Sequence, residues 1–557
     1  MNKKMKYVGI CALALTAGVL LAGCGNAAEA EEVFDGTVAQ YGFPIVEEPL
    51  RMSMFAPGTG MNAFEDKAFF NAYAAMTGIE WDFTNPPRSD MATRLNLAFA
   101  SGDIEGVLFG AELTRDMEIQ HGGTTLMPLE DYIEAGYMPN FARILEAHPN
   151  VRQSITTPDG HIFSLPMLNQ RYNVDNPEFA QQAGLVRGSL WFNGSWMEAL
   201  GIEEEPRTLD EFYEMLIRFR DEDPNGNGIA DEIPLHSIGI TSLRPWMINA
   251  FGLSSIEEQV DDEGNVTFGA ATDNFRAYLE FMNHLFNEGL LNNEIFSISQ
   301  EQSRAMGHND QFGAFTDWFS FFTTGQTPEE AVINPKSYPL QSEWNPDGWM
   351  STTDGISTGA FAVTNNAQSV PAALRWVDHF FSNDGSMFLN AGPESNEGGF
   401  WSWQVSDEGQ EVRVLNPELV ESDANIEEVR GSVTPDFGMV VPKVMAPSAV
   451  ILTDRNDLYE QDTFGQFIDE QAARKVGPHM RVGFPTLYLS NEQQQSLGAT
   501  LRTDLTSFVE QMEARFIVGQ EPITDETWES FQATLRQIGV EQFVEVMQEA
   551  YDNWSNN

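Results

Sequence analysis

Basic residues and cysteines are scarce in this chain of 557 residues. Only 30 Lys and Arg stand against 83 Asp and Glu, so the formal net charge is −53. Such an acidic surface repels phosphate backbones, and no basic cluster offsets it, which excludes nucleic acid as a partner. The two cysteines are Cys11 and Cys24, and Cys11 lies in a segment predicted to be removed. We therefore expect no disulfide, and folding must depend on core packing or a metal.

The chain also lacks the common catalytic and nucleotide-binding motifs. None of its eight histidines lies in an HExxH arrangement, and it has no Gly-Lys-Ser/Thr loop for phosphate. Residues 355–359 have the spacing of a nucleophile elbow, yet a strand-like segment follows where a helix is required. Gly58, Gly60 and Asp82 imitate a dinucleotide fingerprint, but a ligand-binding lobe opens with the same strand, loop and helix. We predict no catalytic residue and no enzymatic activity.

The amino terminus has the pattern of a bacterial lipoprotein. Lys3, Lys4 and Lys6 precede an uncharged apolar run that ends at Cys24 after small residues. This pattern predicts a signal peptide over residues 1–23, acylation (palmitate) of Cys24 and a flexible tether over residues 24–35. A transmembrane helix is the alternative, which the marginal length of the run disfavours. The predicted location is the extracellular face of the cell membrane, with a lipid anchor.

Alternating strands and helices begin after the tether. Leu50 to Phe55 and Ile79 to Phe83 have strand patterns, and Met61 to Met76 between them has the pattern of an amphipathic helix that ends before Gly78. Further helices are predicted at Met91 to Ala100, Asp131 to Tyr137, Thr208 to Arg220, Asp273 to Asn287, Val370 to Phe381 and Leu497 to Phe516. Long α/β chains of this kind usually split into lobes and bind ligands in the crevice between them.

Residues 221–232 have the pattern of a calcium-binding loop. Oxygen ligands recur at short spacing, and the predicted metal ligands are Asp223, Asn225, Asn227, Asp231, Glu232 and the backbone carbonyl of Ile229. The twelfth position counted from Asp223 is Pro234, so Glu232 would have to supply the bidentate carboxylate in a shortened loop. We expect a structural calcium ion here. An Asn/Gly-rich turn with solvated acids is the alternative.

Short segments in a fixed order resemble one family of proteins. They are Leu95 to Asp103, Pro128 to Ile133, Asp159 to Pro166, Trp196 to Ile202, Thr208 to Tyr213 before the predicted calcium loop, Arg375 to Phe381, Gly392 to Glu394, Arg515 to Gly519 and Glu549 to Asp552. Together they resemble the family 1 extracellular solute-binding proteins of carbohydrate ABC importers, particularly the large lipoproteins similar to the alginate-binding and complex-carbohydrate-binding members. Residues 193–195 depart from the charged residues of many relatives.

The resemblance implies an α/β, two-lobed, periplasmic-binding-protein-like clamp of type II with a ligand cleft between the lobes. Residues 33–167 and 349–434 would form lobe 1, and residues 168–343 and 435–557 would form lobe 2, which carries the calcium loop. The implied function is capture of oligosaccharides, such as breakdown products of polysaccharides, and their delivery to the membrane subunits of an ABC transporter. We expect the protein to be a monomer.

Aromatic side chains are the expected ligand contacts, because sugars expose flat C–H faces that stack on rings. The chain has 12 tryptophans, several of them in polar surroundings. The predicted ligand-binding residues are Trp318, Trp246, Trp401 and Trp403 as stacking plates, with Asp317, Asn193, Arg244 and Glu394 as polar edges.

Two other classes of function stay open from the sequence. A secreted glycoside hydrolase would need two carboxylates about 5 to 9.5 Å apart across a sugar cleft. A surface adhesion or sensor-partner protein could share the same fold.

Overall fold

The computed structural model describes residues 36–177, 189–405, 411–416, 418–419, 426–446, 451–452, 467–468, 470–489 and 491–556. The predicted signal peptide, the acylation site Cys24 and the tether lie outside the described residues. No helix in the described ranges is both long enough and apolar enough to cross a membrane.

The strands are short, and most belong to two sheets. They are β1 (Leu50–Phe55), β2 (Ile79–Thr84), β3 (Val107–Phe109), β4 (Leu165–Leu168), β5 (Ser189–Phe192), β6 (Ile233–His236), β7 (Glu258–Val260), β8 (Val266–Phe268), β9 (Phe312–Asp317), β10 (Met350–Thr352), β11 (Ile356–Val363), β12 (Trp401–Val405), β13 (Glu411–Leu415), β14 (Lys443–Val444), β15 (Ile451–Leu452) and β16 (Met480–Val482).

Helices alternate with these strands along the chain. They are α1 (Ala68–Thr77), α2 (Met91–Ser101), α3 (Arg115–His121), α4 (Glu130–Glu134), α5 (Pro139–Ala147), α6 (Pro149–Ile155), α7 (Gly194–Ala199), α8 (Leu209–Asp221), α9 (Ile240–Ala250), α10 (Asp273–Asn287), α11 (Gln300–His308), α12 (Ser320–Thr324), α13 (Val370–Asp378), α14 (Asn383–Ala391), α15 (Ile426–Val433), α16 (Glu492–Ile517), α17 (Asp525–Ile538) and α18 (Val540–Asn556).

The larger sheet has six strands in the order β14-β4-β11-β3-β1-β2. Strand β1 pairs in parallel with both β2 and β3, and β11 runs antiparallel to β3 and β4. All three residues of β3 are buried, which is typical of an inner strand covered by helices on both faces. A smaller sheet follows the order β5-β9-β6, in which β6 and β9 are parallel.

Two large hydrophobic cores share no residue, and they define the two lobes. The first includes Tyr73, Phe109 and Trp376 and packs against the six-stranded sheet. The second includes Trp196 and Tyr278 and packs around the three-stranded sheet and the carboxyl-terminal helices. We call the parts of the chain around the first and second cores lobe 1 and lobe 2. The two-lobed α/β fold predicted from the sequence is thus confirmed.

The chain crosses between the lobes more than once, a few residues away from the predicted boundaries. Residues Met439 to Val444, which the sequence places in lobe 2, pack in the first core, and β14 pairs with β4. Met350, which the sequence places in lobe 1, packs in the second core. The remaining boundaries stay predictions.

Candidate ligand-binding and metal sites

The predicted calcium loop follows α8 and is tightly wound. Asp223, Gly226 and Gly228 have φ values of 47°, 66° and 72°, so the backbone turns through the left-handed region three times within six residues. Side chains of the loop accept hydrogen bonds from its own amides. The amide of Asn227 donates to the side chain of Asn225 at 3.0 Å, and the amide of Gly228 donates to Asp223 at 3.2 Å. The oxygens at alternate positions are therefore held inside the turn.

Glu232 at the end of the loop lacks a partner for one carboxylate oxygen. Its Oε1 is buried and accepts no hydrogen bond. Burial raises the pKa of Glu232, and the charges of Asp231 and Asp223 raise it further. A buried carboxylate oxygen that accepts no hydrogen bond and lies among other acids is suited to bind a cation. However, no three acidic, His or Cys side chains in the described part of the chain lie close enough together to hold a metal, and Asn227 instead donates to Asp231 at 3.0 Å.

A cavity of about 430 Å³ lies between the lobes. Helix α3 of lobe 1 supplies one wall, and the segment before α16 and α16 itself supply the other. Its lining residues are Thr114, Arg115, Asp116, Glu258, Phe484, Pro485, Thr486, Leu487, Leu489, Gly498, Ala499, Arg502 and Met547. No predicted ligand-binding residue is among them.

Buried polar contacts join the lobes beside this cavity. The guanidinium of Arg115 stands over the ring of Tyr488, 5.2 Å from its centre, and donates to the carbonyl of Leu487. Glu118, also on α3, is fully buried and accepts hydrogen bonds from the hydroxyls of Tyr488 and Ser164. Burial raises the pKa of Glu118. The contacts of Arg115 and Glu118 with Leu487 and Tyr488 hold a lobe 1 helix to a lobe 2 segment, and the sequence did not predict them.

Trp318 is the predicted stacking residue with the largest exposed surface, at 59 %. It follows the carboxyl end of β9, beside the carboxyl end of the parallel strand β6. In open α/β sheets, ligands bind outside the carboxyl ends of the strands. The carboxylate of Asp317 accepts from the Trp318 amide at 2.7 Å and from the Thr323 hydroxyl at 2.7 Å, which fixes the start of this loop.

Arg244 and Trp246 lie elsewhere than predicted. Trp246 is 3 % exposed and belongs to the second core. Arg244 is buried on the same helix, where its Nη2 donates to Glu513 at 2.5 Å. The polar residue close to Trp246 in the sequence, Arg244, therefore forms an ion pair inside lobe 2. Both side chains therefore contribute to the packing of lobe 2.

Asn193, a predicted ligand contact, is buried and caps a helix of lobe 2. It is 4 % exposed and caps α7, accepting from the amides of Ser195 and Trp196. Its amide group donates to the carboxylate of Asp310 at 2.7 Å. Every polar atom of this side chain is thus engaged within the lobe.

Glu394 lies in a tight turn of lobe 1. Its backbone carbonyl accepts from the amides of Glu397 and Gly399 at 2.9 Å each. A Cβ on Gly399 would approach the carbonyl oxygen of Pro393 to 1.7 Å, so only glycine fits this turn. The turn leads directly into β12 and positions its two tryptophans.

Trp401 and Trp403 are brought together on one face of β12, with ring centres 5.5 Å apart. Trp401 is 6 % exposed and donates to the carbonyl of Ala391 at 3.1 Å, so it packs in the lobe. Trp403 is 43 % exposed. Arg413 on β13 pairs directly with Trp403 across the hairpin. The alternation of residues in the two strands was the signal that could have predicted this arginine.

The fold is that of a solute-binding protein. Over its full length the chain is 24 % identical to the fructooligosaccharide ABC transporter substrate-binding protein FusA of Streptococcus pneumoniae, and the alignment covers 99 % of that protein. It is 27 % identical to lipoprotein LipO of Bacillus subtilis over 247 residues, which is 45 % of that protein. No protein-family model matches. These similarities confirm the resemblance to ABC-importer solute-binding proteins that the sequence segments predicted.

Solved structures agree with this fold. An EF-hand mutant of S. pneumoniae FusA in complex with fructo-nystose superposes with a TM-score of 0.68 at 21 % identity. An HMO-binding, ABC-transporter-associated solute-binding protein of Bifidobacterium longum infantis gives 0.69 at 20 % identity. The alginate-binding protein AlgQ2 without calcium ion gives 0.63 at 19 % identity. Each match covers 91 % of this chain and at least 99 % of the other chain.

Proposed function

We propose that the protein captures oligosaccharides outside the cell and delivers them to the membrane subunits of an ABC importer, without chemical change. The observation that carries this proposal is the full-length similarity to a fructooligosaccharide-binding importer component. Two lobes with separate cores, joined by several crossings, suit a receptor that closes over its ligand. An importer distinguishes the closed form from the open form by shape, so ligand binding becomes the delivery signal.

The ligand contacts proposed here are the exposed tryptophans that follow β9 in lobe 2 and lie on β12 in lobe 1. Trp318 offers an indole face at the carboxyl edge of the lobe 2 sheet, and Trp403 offers one on the lobe 1 hairpin. Each ring stacked on a sugar contributes about 1 kcal/mol, by analogy with aromatic pairs, so useful affinity needs several of them. Asp317 would hold the Trp318 loop in place, because its two carboxylate oxygens accept from the Trp318 amide and the Thr323 hydroxyl.

We further propose that Cys24 is acylated after removal of residues 1–23 and holds the protein at the extracellular face of the cell membrane. The lipobox before Cys24 and the basic residues at the amino terminus support this proposal. One acyl chain alone binds a membrane only marginally, and dual acylation gives stable anchoring. Residues 25–35 would act as the spacer that lets the lobes reach the importer.

A structural calcium ion in the 221–232 loop is also proposed. The left-handed turns and the orphaned Oε1 of Glu232 support it. The residues that would hold the ion are Asp223, Asn225, Asn227, Asp231, Glu232 and the carbonyl of Ile229. The ion would fix the connection between α8 and β6, where the loop contacts Asp310 and Gln311 before the amino end of β9, whereas Trp318 follows the carboxyl end of that strand. It would therefore stabilise lobe 2 and take no part in ligand binding.

The test is a thermal-shift screen of the purified mature protein against neutral and acidic oligosaccharides, combined with chromatography of the sugars afterwards. We expect one class of oligosaccharide to raise the melting temperature while its chain length stays unchanged. Release of shorter products would favour a glycoside hydrolase. No shift with any oligosaccharide, together with normal growth of a deletion strain on polysaccharides, would contradict the proposal.

A further inference from the structure

A second cavity lies within lobe 2, and its volume of about 440 Å³ is in the range of small-molecule sites. Helix α7, the 3-10 turn Glu330–Ile333 and Gln471 contribute to its walls. The helix and the turn are in direct contact, since a Cβ on Gly194 would lie 1.9 Å from the carbonyl oxygen of Ile333. The apolar part of the lining consists of Met197, Ile202, Val332, Ile333 and Pro335.

This lobe 2 cavity lies at the opposite edge of the three-stranded sheet from Trp318. Gly194, which lines the cavity, comes directly after Asn193, and the amide of Asn193 donates to the carbonyl of Gly313 near the amino end of β9. Trp318 follows the carboxyl end of the same strand. An extended strand rises about 17 Å between Gly313 and Trp318. A small ligand in the lobe 2 cavity would therefore not reach the proposed oligosaccharide contact.

Gln471 supplies an unused hydrogen-bond acceptor to this cavity. Its side chain is 6 % exposed and lines the cavity, and within the described residues its Oε1 is buried and accepts no hydrogen bond. A buried carbonyl oxygen without a donor is destabilising, and most such oxygens in proteins are paired. An N–H group of a bound ligand would supply the missing donor.

The charged side chains of the lining are acidic. Glu198 and Glu203 line the cavity and are exposed, and the less exposed Glu205 accepts from Nζ of the buried Lys475 at 2.7 Å. Lys475 is thus held by an acid behind the lining, and no basic side chain is among the described residues that line the cavity. The cavity therefore attracts cations and repels anions.

We propose that the lobe 2 cavity binds an organic amine, in which a protonated amino group is attached to an apolar body. The ammonium group would donate to Oε1 of Gln471 and be attracted by Glu198 and Glu203, while the apolar body would pack between Met197 and Ile333. Hydrogen bonds from a charged donor are stronger than those from a neutral donor, so an ammonium group suits both the unused acceptor and the acids. This site is separate from the proposed oligosaccharide site and does not depend on it.

The experiment measures the binding of phenethylamine and phenethyl alcohol to the purified mature protein by ligand-observed NMR. Both probes have the same apolar body and a hydrogen-bond donor, but only the amine is charged. For probes of this size we expect the amine to bind with a dissociation constant of about 1 mM or lower. It should bind about five times more tightly than the alcohol, because two exposed acids attract it. High salt should reduce this difference, since it screens exposed charges.

Three variants separate the contributions of the acceptor and the acids. Q471M keeps the length of the side chain without the acceptor and should weaken both probes about threefold or more. E198Q/E203Q should weaken only the amine, to the level of the alcohol. D262N/E263Q is the matched control, because it removes two exposed acids in the β7–β8 turn and should leave both probes unaffected. Melting curves establish that each variant is folded.

Equal binding of the two probes by the wild-type protein, or no binding of the amine, would overturn the inference. So would unchanged binding of the amine by E198Q/E203Q, whose substitutions are at exposed positions. An oligosaccharide that raises the melting temperature should leave the amine bound. Displacement of the amine by that oligosaccharide would place the amine in the cleft, which contradicts this inference but not the proposed function. A protein that binds the amine but no sugar would contradict only the proposed function.

Discussion

The carboxylate of Glu513 receives hydrogen bonds from Nε and Nη2 of Arg244, at 3.0 Å and 2.5 Å, across 269 residues of sequence. Glu513 has no exposed surface, and the hydroxyl of Tyr278 donates to it at 2.8 Å. The ion pair joins α9 to the long carboxyl-terminal helix α16 inside the second core. This ion pair is the structural role of Arg244, the arginine close to Trp246 in the sequence.

Breaking this pair from one side should destabilise lobe 2 strongly. Glu513→Gln leaves the buried charge of Arg244 with only the half-exposed Glu510, 3.4 Å away, and we expect the free energy of unfolding to fall by about 3 kcal/mol, measured by urea denaturation. The double variant R244M/E513L replaces the pair with apolar side chains and should recover part of that loss. A single variant that loses less than about 1 kcal/mol would show that the pair is not buried in solution.

Local features of the fold were predictable, and long-range polar contacts were not. The helix Asp273–Asn287 was predicted with its exact bounds, because its apolar residues recur with helical spacing. Gly78 ends α1 with φ of 80°, as its position in the sequence predicts. The predicted start of α1 at Met61 is wrong, since Lys67 is extended and a separate 3-10 turn, Phe64–Asp66, precedes it.

In the candidate sites, too, local features were predictable and long-range contacts were not. Trp318 could be chosen because its neighbours are polar, and it is indeed exposed after β9. The same criterion also selected Trp246, which is buried. Its polar neighbour Arg244 forms an ion pair with Glu513, a residue far away in the sequence that only the fold brings close. The position of Arg413 beside Trp403 was not predicted, because it follows only from the pairing of β12 with β13. A single sequence indicates which side chains suit a ligand, but the register of strands and the packing of helices decide which are accessible.

Calcium removal should lower the stability of lobe 2. At a calcium concentration 100 times the dissociation constant, the bound ion contributes about 2.7 kcal/mol, so a chelator should lower the melting temperature of the wild-type protein by several degrees. Glu232→Gln should lower it without chelator and make it insensitive to chelator. Glu263→Gln, an exposed acid in the β7–β8 turn, is the control and should keep the chelator response. Melting curves that chelator leaves unchanged would contradict the metal assignment.

The interlobe contact of Tyr488 with Glu118 should contribute to stability. Tyr488→Phe removes one of the two side-chain donors to a fully buried carboxyl group, and we expect a loss of about 1–3 kcal/mol in the free energy of unfolding. Tyr41→Phe is the control, because Tyr41 is 71 % exposed and its hydroxyl is in water. Equal stability of the Tyr488 variant and the control would mean that the lobes part at this contact in solution.

Acidification should destabilise the protein through His236. This side chain is 1 % exposed, bonds Ser303 at 2.7 Å and Asn292 at 2.8 Å, and stacks on Phe312. Burial lowers its pKa to about 3. The unfolded chain takes up a proton near pH 6.5 while the folded protein does not, so this stabilisation is complete above pH 6.5 and is lost as the pH falls towards 3.

Urea denaturation at several pH values tests this dependence on His236. In His236→Gln the decline in stability between pH 6.5 and 4 should be shallower by up to about 1.4 kcal/mol per pH unit. Burial also raises the pKa of Asp378 to about 6, which acts in the opposite direction, but it is common to both proteins and cancels in the comparison. His308→Gln at an exposed position is the control and should keep the wild-type slope.

Removal of the Trp318 indole should weaken ligand binding without affecting the fold. Because 59 % of the side chain is exposed, Trp318→Ala leaves no cavity in the core, and its unfolding curve should match that of the wild-type protein. Loss of one stacking face should raise the dissociation constant of the best oligosaccharide about fivefold, which corresponds to about 1 kcal/mol. Trp344→Ala, another exposed tryptophan, is the control and should bind normally. If both variants bind like the wild-type protein, the carboxyl edge of β9 does not contact the ligand, and the lobe 2 wall of the cleft must be sought along the cavity beside α16.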